Sequence, residues 1–195
     1  MRAAVPPVPH AGVRAFSIDD AATTEIDDAF SLQTLPGLGW RVGIHIAAPC
    51  LGFAPGSPLD AVARERLSTV YMPGNKITML PDEVVGRYTL QAGRDCPAVS
   101  LYVVLDEATL AVQETQTRLE RVPIAANLRH DQLDAVVTEQ WLDDPASPTP
   151  AGCDMATATA SPSVRTARTG VPVMISAPWA RASATCTAFA RAAST

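Results

Sequence analysis

The chain has 195 residues, with 20 acidic and 15 basic side chains and a formal net charge of -5. This length suffices for one domain with a proper core and is too short for two large ones. The negative charge argues against a chain that binds nucleic acid simply by being strongly basic, although a bound divalent cation would locally reverse the sign of an acidic site. No stretch approaches the roughly 20 apolar residues of a membrane span, and the start lacks the apolar core of a signal peptide, so we expect a cytoplasmic protein without a membrane partner.

The composition changes near residue 145. Residues 1–144 carry 19 acidic and 11 basic side chains, whereas residues 145–195 carry one acid and four arginines. The second part is dominated by Ala, Thr, Ser, Pro and Arg and is poor in large aliphatic residues, so it cannot bury enough surface to offset its ordering entropy. We therefore predict one ordered domain over 1–144 and a low-complexity tail over 145–195. The tail is either disordered or the product of a GC-rich gene read out of frame.

Three strands are predicted in the first part of the chain, over residues 14–18, 29–35 and 40–48. The first two flank a loop rich in Asp and Glu, and a PGLG turn precedes the third. Val42, Ile44 and Ile46 fall on one face of the third strand because side chains alternate along a strand. His45 falls on the opposite face, where we interpret it as structural.

The first helix is predicted to begin at Ser57, with Ser as the N-cap and Pro58 at the first helical position. Its pattern continues to Tyr71, and one side of it is apolar: Leu59, Val62, Ala63, Leu67 and Val70. The segment MPGNKITMLPDE then reads as a connection, and DEVVGRY (82–88) as a second short helix.

Two longer strands are predicted next, over 98–106 and 109–124, as an antiparallel pair around a tight turn at Glu107 and Ala108. RHDQLDAVVTEQWL (129–142) is predicted to close the ordered part as a helix. The predicted fold class is therefore α+β, with mixed, mainly antiparallel strands around a few helices.

The loop between the first two strands, within FSIDDAATTEIDDAF (16–30), carries five carboxylates: Asp19, Asp20, Glu25, Asp27 and Asp28. A solvated acidic loop is the simplest explanation. The apolar residues that flank the loop place some of these carboxylates near a core, where they need partners. An EF-hand calcium loop is excluded, because Thr24 stands where that motif requires Gly and Phe30 where it requires Glu.

Two catalytic explanations remain beside the solvated loop. A sugar hydrolase needs two carboxyl groups that face the substrate from opposite sides, which is fewer than this loop provides. A Mg²⁺ site for phosphodiester hydrolysis uses several carboxylates held close together, because Mg²⁺ prefers oxygen ligands.

The spacing I-D-x₅-E-I-D-D-A, from Ile18 to Ala29, resembles the signature of the ribonuclease II/ribonuclease R family, whose catalytic domain is called RNB. Three further blocks follow in the family's order: VGIHIA (42–47), GSPLD (56–60) and ARERLSTVYMPGNKITMLP (63–81). The resemblance runs from about residue 10 to 144 and implies the N-terminal part of an RNB-type catalytic domain.

The resemblance implies a hydrolytic 3′→5′ exoribonuclease that degrades single-stranded RNA to nucleoside 5′-monophosphates with Mg²⁺, or alternatively Mn²⁺. It implies that Asp19 and Asp28 are metal ligands, and that Glu25 stands where the family usually has a further metal-associated Asp. Asp27 matches the carboxylate on which catalysis most depends. Tyr71 matches an aromatic that packs against RNA near its 3′ end, with a core tyrosine as the alternative, and Asp20 is expected to face solvent.

The resemblance covers only the first part of a catalytic domain that is normally more than twice as long. The family's later segment, which adds an arginine and further acids to the site, has no counterpart in residues 145–195. A cationic side chain that stabilises developing charge contributes several kcal/mol to catalysis. We therefore predict a truncated domain with little or no activity. The alternative is a non-catalytic RNA-binding or regulatory remnant of such an enzyme.

Overall fold

The computed structural model describes residues 8–134. This range contains seven strands: β1 (Ala15–Asp19), β2 (Asp28–Leu35), β3 (Gly39–Ala47), β4 (Val70–Met72), β5 (Asn75–Ile77), β6 (Asp95–Asp106) and β7 (Val112–Arg129). The helices are a short 3-10 helix (Pro49–Gly52), α1 (Pro58–Arg66), α2 (Asp82–Tyr88) and α3 (His130–Asp134). The predicted tail, and the last predicted helix beyond residue 134, lie outside the described residues. Within the described range, no helix is long and apolar enough to span a membrane.

Five of the strands close into a barrel in the order β1-β2-β3-β6-β7. The neighbouring strands are antiparallel, except that β1 and β7 run parallel where they close the barrel. The α+β class with mainly antiparallel strands is confirmed, as are the strands predicted around the acidic loop and the antiparallel pair β6–β7. Closure pairs the edges of the sheet, so β1 and β7 leave no open edge between them.

Two apolar clusters lie on opposite faces of the barrel wall, since successive side chains of a strand point to opposite faces. The first is built on three large residues: Phe16, Leu32 and Trp40. The second combines small strand residues with residues from the loops, and includes Ala15, Ala29, Ala98, Tyr102, Val122, Ile26 and Leu90. Because Ile26 belongs to this second cluster, the acidic loop is packed directly onto the core.

Strand β3 has the alternation that its sequence predicts, but its apolar face is the more exposed one. Ile46 is 47% exposed, whereas Gly43 and His45 on the other face are buried. His45 lies between two serine hydroxyls, with Nδ1 2.8 Å from Ser100 Oγ and Nε2 2.9 Å from Ser31 Oγ. These contacts agree with the structural role predicted for this histidine.

The prediction for the first helix is correct at its start and wrong at its end. Ser57 caps α1, its hydroxyl accepting a hydrogen bond of 3.3 Å from the amide of Asp60. The helix ends at Arg66 because Leu67 takes a left-handed conformation with φ 65° and is 79% exposed. Val70, predicted on the helix, instead begins β4.

Strands β4 and β5 form a separate two-stranded unit, the β4–β5 hairpin, which the sequence had not indicated. Its turn is Pro73-Gly74, with Gly74 at φ 74°, a conformation that glycine adopts without strain. The hairpin places Tyr71 on a strand, and its partner across the hairpin is Lys76.

Candidate active site

The acidic loop, residues 19–28, connects the end of β1 to the start of β2. Asp19 is the last residue of β1 and Asp28 the first of β2, so strand geometry sets the backbone at both ends. Asp19 and Glu25 are half-buried, whereas Asp20, Asp27 and Asp28 are exposed. The exposure of Asp20 is as predicted from the sequence.

The loop is fixed at Ile26, whose side chain is 4% exposed. The amide of Ile26 donates a hydrogen bond of 2.8 Å to Thr89 Oγ1, and its carbonyl accepts one of 2.9 Å from the amide of Leu90. The carbonyl of the next residue, Asp27, accepts a bond of 2.8 Å from the amide of Ala47 on β3. Backbone bonds to two other parts of the chain therefore hold the segment from which the Asp27 and Asp28 side chains project.

The first half of the loop is held by a cation from β7. Arg129 Nη1 donates hydrogen bonds of 2.7 Å to the carbonyl of Asp20 and 3.4 Å to the carbonyl of Thr23. These two residues also form a turn, in which the Thr23 amide donates to the Asp20 carbonyl at 2.9 Å. Arg129 thus organises the loop backbone through carbonyl groups.

Asp19 is oriented by a short chain of polar side chains. The hydroxyl of Ser17 donates a hydrogen bond of 2.6 Å to Asp19 Oδ2, and Asn127 Nδ2 donates one of 3.0 Å to the Ser17 oxygen. Asn127 is itself fixed, because its Nδ2 also donates to the carbonyl of Leu90 at 2.9 Å and its Oδ1 accepts from the amide of Ala92 at 2.7 Å. The position of Asp19 therefore depends on a residue 108 positions later in the chain.

The carboxylates are close enough to perturb one another. Desolvation by the atoms packed around the loop raises the pKa of Asp27, which Glu25, Asp28 and Asp19 raise further and Lys76 lowers. Desolvation is also the largest cause that raises the pKa of Asp28, followed by the charge of Asp19. Like charges in a partly desolvated place favour the neutral form of each other, which is the condition that a bound cation relieves.

Glu25 has a cationic partner that the sequence did not indicate. Lys76 Nζ, from β5, lies 3.3 Å from Glu25 Oε2 and donates a hydrogen bond of 3.1 Å to Thr24 Oγ1. The pair is partly buried, with the Glu25 side chain 13% exposed and that of Lys76 31%. Lys76 is the only lysine in the chain. Its partner is 51 positions away, so no local spacing pointed to the contact.

The donor chemistry of the loop suits a hard divalent cation, which prefers carboxylate oxygens. Asp19, Asp27 and Asp28 supply such oxygens, while Glu25 is engaged by Lys76. Among residues 8–134, however, no group of three or more His, Cys, Asp or Glu side chains is arranged to hold a metal ion. A complete coordination shell at the loop would need other oxygen ligands, such as water or substrate phosphate. The individual roles assigned to these carboxylates stay predictions.

Tyr71 lies at the surface of the β4–β5 hairpin and is 71% exposed, so the alternative of a core tyrosine is wrong. It is directly opposite Lys76 in the antiparallel ladder. Directly opposed residues project from the same face of such a pair. The hairpin face that carries Tyr71 is therefore the face from which Lys76 reaches the acidic loop.

Comparison with known proteins relates the chain to a family. The model of the RNB domain matches residues 11–168. An uncharacterized ribonuclease of Synechocystis is 34% identical over 137 residues, which is 70% of this chain and 20% of that protein. Exoribonuclease 2 of Aeromonas hydrophila is 34% identical over 122 residues, 60% of this chain and 18% of that protein. In Arabidopsis thaliana, proteins named DIS3-like exonuclease 2 and inactive exonuclease DIS3L2 are each 43% identical over 88 residues, 44% of this chain and 8% of each protein.

Solved structures share the fold. An active-site mutant of the Dss1 exoribonuclease from Candida glabrata has a TM-score of 0.62 and 25% identity, over 70% of this chain and 20% of that one. RNase R of Mycoplasma genitalium in complex with ribose-methylated single-stranded RNA has a TM-score of 0.58 and 19% identity, over 62% of this chain and 19% of that one. The chain spans about a fifth of the length of the first two relatives. Since the RNB model matches most of its length, the chain belongs to the RNB domain family.

Proposed function

We propose that this chain carries part of the active site of a Mg²⁺-dependent exoribonuclease, which removes nucleotides from the 3′ end of single-stranded RNA. Each cycle would use one water molecule to break a phosphodiester bond, releasing a nucleoside 5′-monophosphate and leaving a 3′-hydroxyl on the shortened RNA. Relatives named as exoribonucleases support the ribonuclease function. Magnesium, the type of product and the cytoplasmic location are our predictions.

The observation that carries the proposal is the way the acidic loop is held. Ile26 and the Asp27 carbonyl are bonded to two other parts of the chain, and Ser17 orients Asp19. Asp27 and Asp28 are exposed carboxylates on a fixed backbone, and neighbouring negative charges raise the pKa of both, so they are suited to receive a cation from solvent. A merely solvated acidic loop would need none of these constraints.

Asp19 and Asp28 would hold the metal, and Asp27 is the carboxylate on which we expect hydrolysis to depend. Mg²⁺, when bound, would polarise the phosphate and lower the pKa of the attacking water. Tyr71 offers an exposed ring on which a base of the RNA could stack. We assign Glu25 to the neighbourhood of the site, because Lys76 engages its carboxylate.

A second candidate is a non-catalytic RNA-binding or regulatory remnant. It is favoured by the absence of a three-ligand metal group in residues 8–134, and by the equal similarity to Arabidopsis proteins named exonuclease and inactive exonuclease. The chain also spans only a fifth of its first relatives. We propose that its activity alone is low or absent.

The two candidates are separated by incubating the purified chain with 5′-labelled single-stranded RNA and Mg²⁺. The variant is Asp27→Asn, and Asp20→Asn is the matched control, because it removes an exposed carboxylate from the same loop. If the wild type and Asp20→Asn shorten the RNA and Asp27→Asn does not, the result supports the enzyme. RNA that binds and stays intact supports the remnant, and shortening that persists in Asp27→Asn indicates a contaminant.

The metal is tested separately by thermal unfolding. Millimolar Mg²⁺ at ten times its Kd would stabilise the folded chain by about 1.4 kcal/mol. We expect the melting temperature to rise in the wild type and in Asp20→Asn, and not in Asp28→Asn. The same response in all three proteins would contradict the assignment of Asp28.

A further inference from the structure

The β4–β5 hairpin has little to hold it in place. Its strands are three residues each, and every hairpin strand residue except Lys76 is exposed. Val70, Met72 and Ile77 are among the exposed apolar residues, so the hairpin buries no core of its own. A two-stranded hairpin without such a core is marginally stable in water. Its orientation must therefore come from contacts to its surroundings.

The base of the hairpin is attached to the last residue of α1 and to the segment that follows it. Arg66 Nη1 donates a hydrogen bond of 2.9 Å to the carbonyl of Thr78, and the amide of Met79 donates one of 3.2 Å to Thr69 Oγ1. Both bonds lie at the base of the hairpin, at the end opposite the turn at Pro73-Gly74. In the described part of the chain, the hydrogen bonds from hairpin to acidic loop both come from Lys76 Nζ.

The Lys76–Glu25 pair is less exposed to solvent than an ordinary surface ion pair. Exposed pairs contribute little, because solvent screens them and both side chains lose freedom. The Glu25 side chain is only 13% exposed and Asp27 lies near it, so removal of Lys76 would leave a largely buried carboxylate without its cation and beside another carboxylate. The Thr24 hydroxyl adds a second bond to the same ammonium group. Lys76 therefore joins the hairpin to the acidic loop at two points, the carboxylate of Glu25 and the hydroxyl of Thr24.

We propose that Lys76 is a positioning residue, which holds the β4–β5 hairpin against the acidic loop through Glu25 and Thr24, so that Tyr71 stands beside the carboxylates. Glu25 is then the anchor of the hairpin and not a ligand of the metal. Tyr71 and Lys76 share one face of the hairpin, so holding the lysine against the loop also orients the face that carries Tyr71. The part of this inference that concerns RNA rests on the proposed function.

Whether Lys76 holds the hairpin in place is tested by hydrogen–deuterium exchange of residues 70–77 in the full chain. Lys76→Met removes the charge and keeps most of the length, and we expect about five- to tenfold faster amide exchange there. Lys76→Arg, which keeps the cation, should restore slow exchange. Glu25→Gln should accelerate exchange as Lys76→Met does, and the double variant should add nothing further, since both remove one interaction.

Arg64→Met is the matched control. It breaks the Arg64–Asp60 ion pair of 2.9 Å on the exposed surface of α1, outside the hairpin. We expect no change in the exchange of residues 70–77. Unchanged exchange in Lys76→Met, or additive effects of Lys76→Met and Glu25→Gln, would overturn the proposal.

The RNA part is tested by fluorescence anisotropy with a labelled single-stranded oligonucleotide. We expect Tyr71→Ala to weaken binding, Lys76→Met to weaken it by about the same factor, and Lys76→Arg to restore it. Faster exchange in Lys76→Met with undiminished affinity, when Tyr71→Ala does weaken binding, overturns the positioning of Tyr71. If the wild type binds no RNA, the proposed function fails, whereas the exchange result still decides whether Lys76 holds the hairpin.

Discussion

The imidazole of His45 lies 2.8 Å from the hydroxyl of Ser100, its direct neighbour on β6, and a second hydroxyl, that of Ser31, occupies the other ring nitrogen at 2.9 Å. Both groups are buried with the ring. In the neutral imidazole one ring nitrogen carries a proton and the other does not. One of the two hydroxyls can accept a hydrogen bond from the N–H and the other can donate one to the bare nitrogen, so both ring nitrogens are bonded. Burial lowers the pKa of His45 to about 4, although the nearby charge of Glu120 acts in the opposite direction.

This histidine makes stability depend on pH. The unfolded chain protonates it near 6.5 and the folded chain only near 4, so the unfolded state binds more protons between these values. Its contribution is complete above pH 6.5 and is lost as the pH falls towards 4, about 3 kcal/mol in total. We expect urea unfolding to show about 2 kcal/mol of that loss by pH 5. His45→Gln should show much less, and an equal loss in both proteins would contradict the assignment.

Gly43 lies where two strands and the histidine meet. A Cβ at this position would come within 2.3 Å of Ser31 Oγ and 2.7 Å of His45 Nε2, both committed to the buried hydrogen bonds. We expect Gly43→Ala to destabilise the fold by about 1–3 kcal/mol, as overpacking does. Gly86→Ala is the control, since a Cβ there meets open space on α2 and should stabilise the helix by roughly 0.5–1 kcal/mol. Denaturant unfolding checks the two variants, since the free energy of unfolding should fall in Gly43→Ala and rise in Gly86→Ala.

Ile26 joins the acidic loop to the core, and its side chain is nearly fully buried. Ile26→Ala should cost about 2–5 kcal/mol, the usual range for removing a large aliphatic side chain from a core. Val112→Ala truncates an exposed aliphatic residue of β7 and should change the free energy of unfolding by less than about 0.5 kcal/mol. Similar values for the two variants would show that the loop is not anchored by this side chain.

The hydroxyl of Tyr102 donates a hydrogen bond of 2.5 Å to Glu120, a carboxylate that is only 3% exposed. Burial is the largest cause that raises the pKa of Tyr102, and the hydrogen bond to Glu120 raises this pKa further. The hydroxyl therefore stays protonated and acts as the donor. Tyr102→Phe leaves the buried carboxylate without this partner and should cost about 1–3 kcal/mol. Tyr71→Phe, at the exposed hairpin, should be close to neutral. Equal melting temperatures for Tyr102→Phe and Tyr71→Phe would contradict a structural role for the Tyr102–Glu120 bond.

Local patterns predicted much of the fold. Alternation of apolar residues indicated β2 and β3, and Ser57-Pro58 marked the start of α1, because strand periodicity and helix capping depend on a few neighbouring residues. The end of α1 was missed, since Leu67 fits the helical pattern but adopts a left-handed conformation. The helical pattern therefore predicts Tyr71 at the end of a helix, whereas the structure places it on a hairpin strand.

The carboxylates of the acidic loop, their spacing and the family to which they point can be identified from local sequence. Their partners come together only through long-range folding: Asn127 behind Ser17, Thr89 and Leu90 at Ile26, and Lys76 at Glu25. These residues are separated by 51 to 110 positions, and they meet because β7 closes the barrel against β1 and the hairpin folds back over the loop. The sequence shows that like charges are crowded in the loop. The cation that pairs with one of them, Lys76, comes from a strand that the fold brings to the loop.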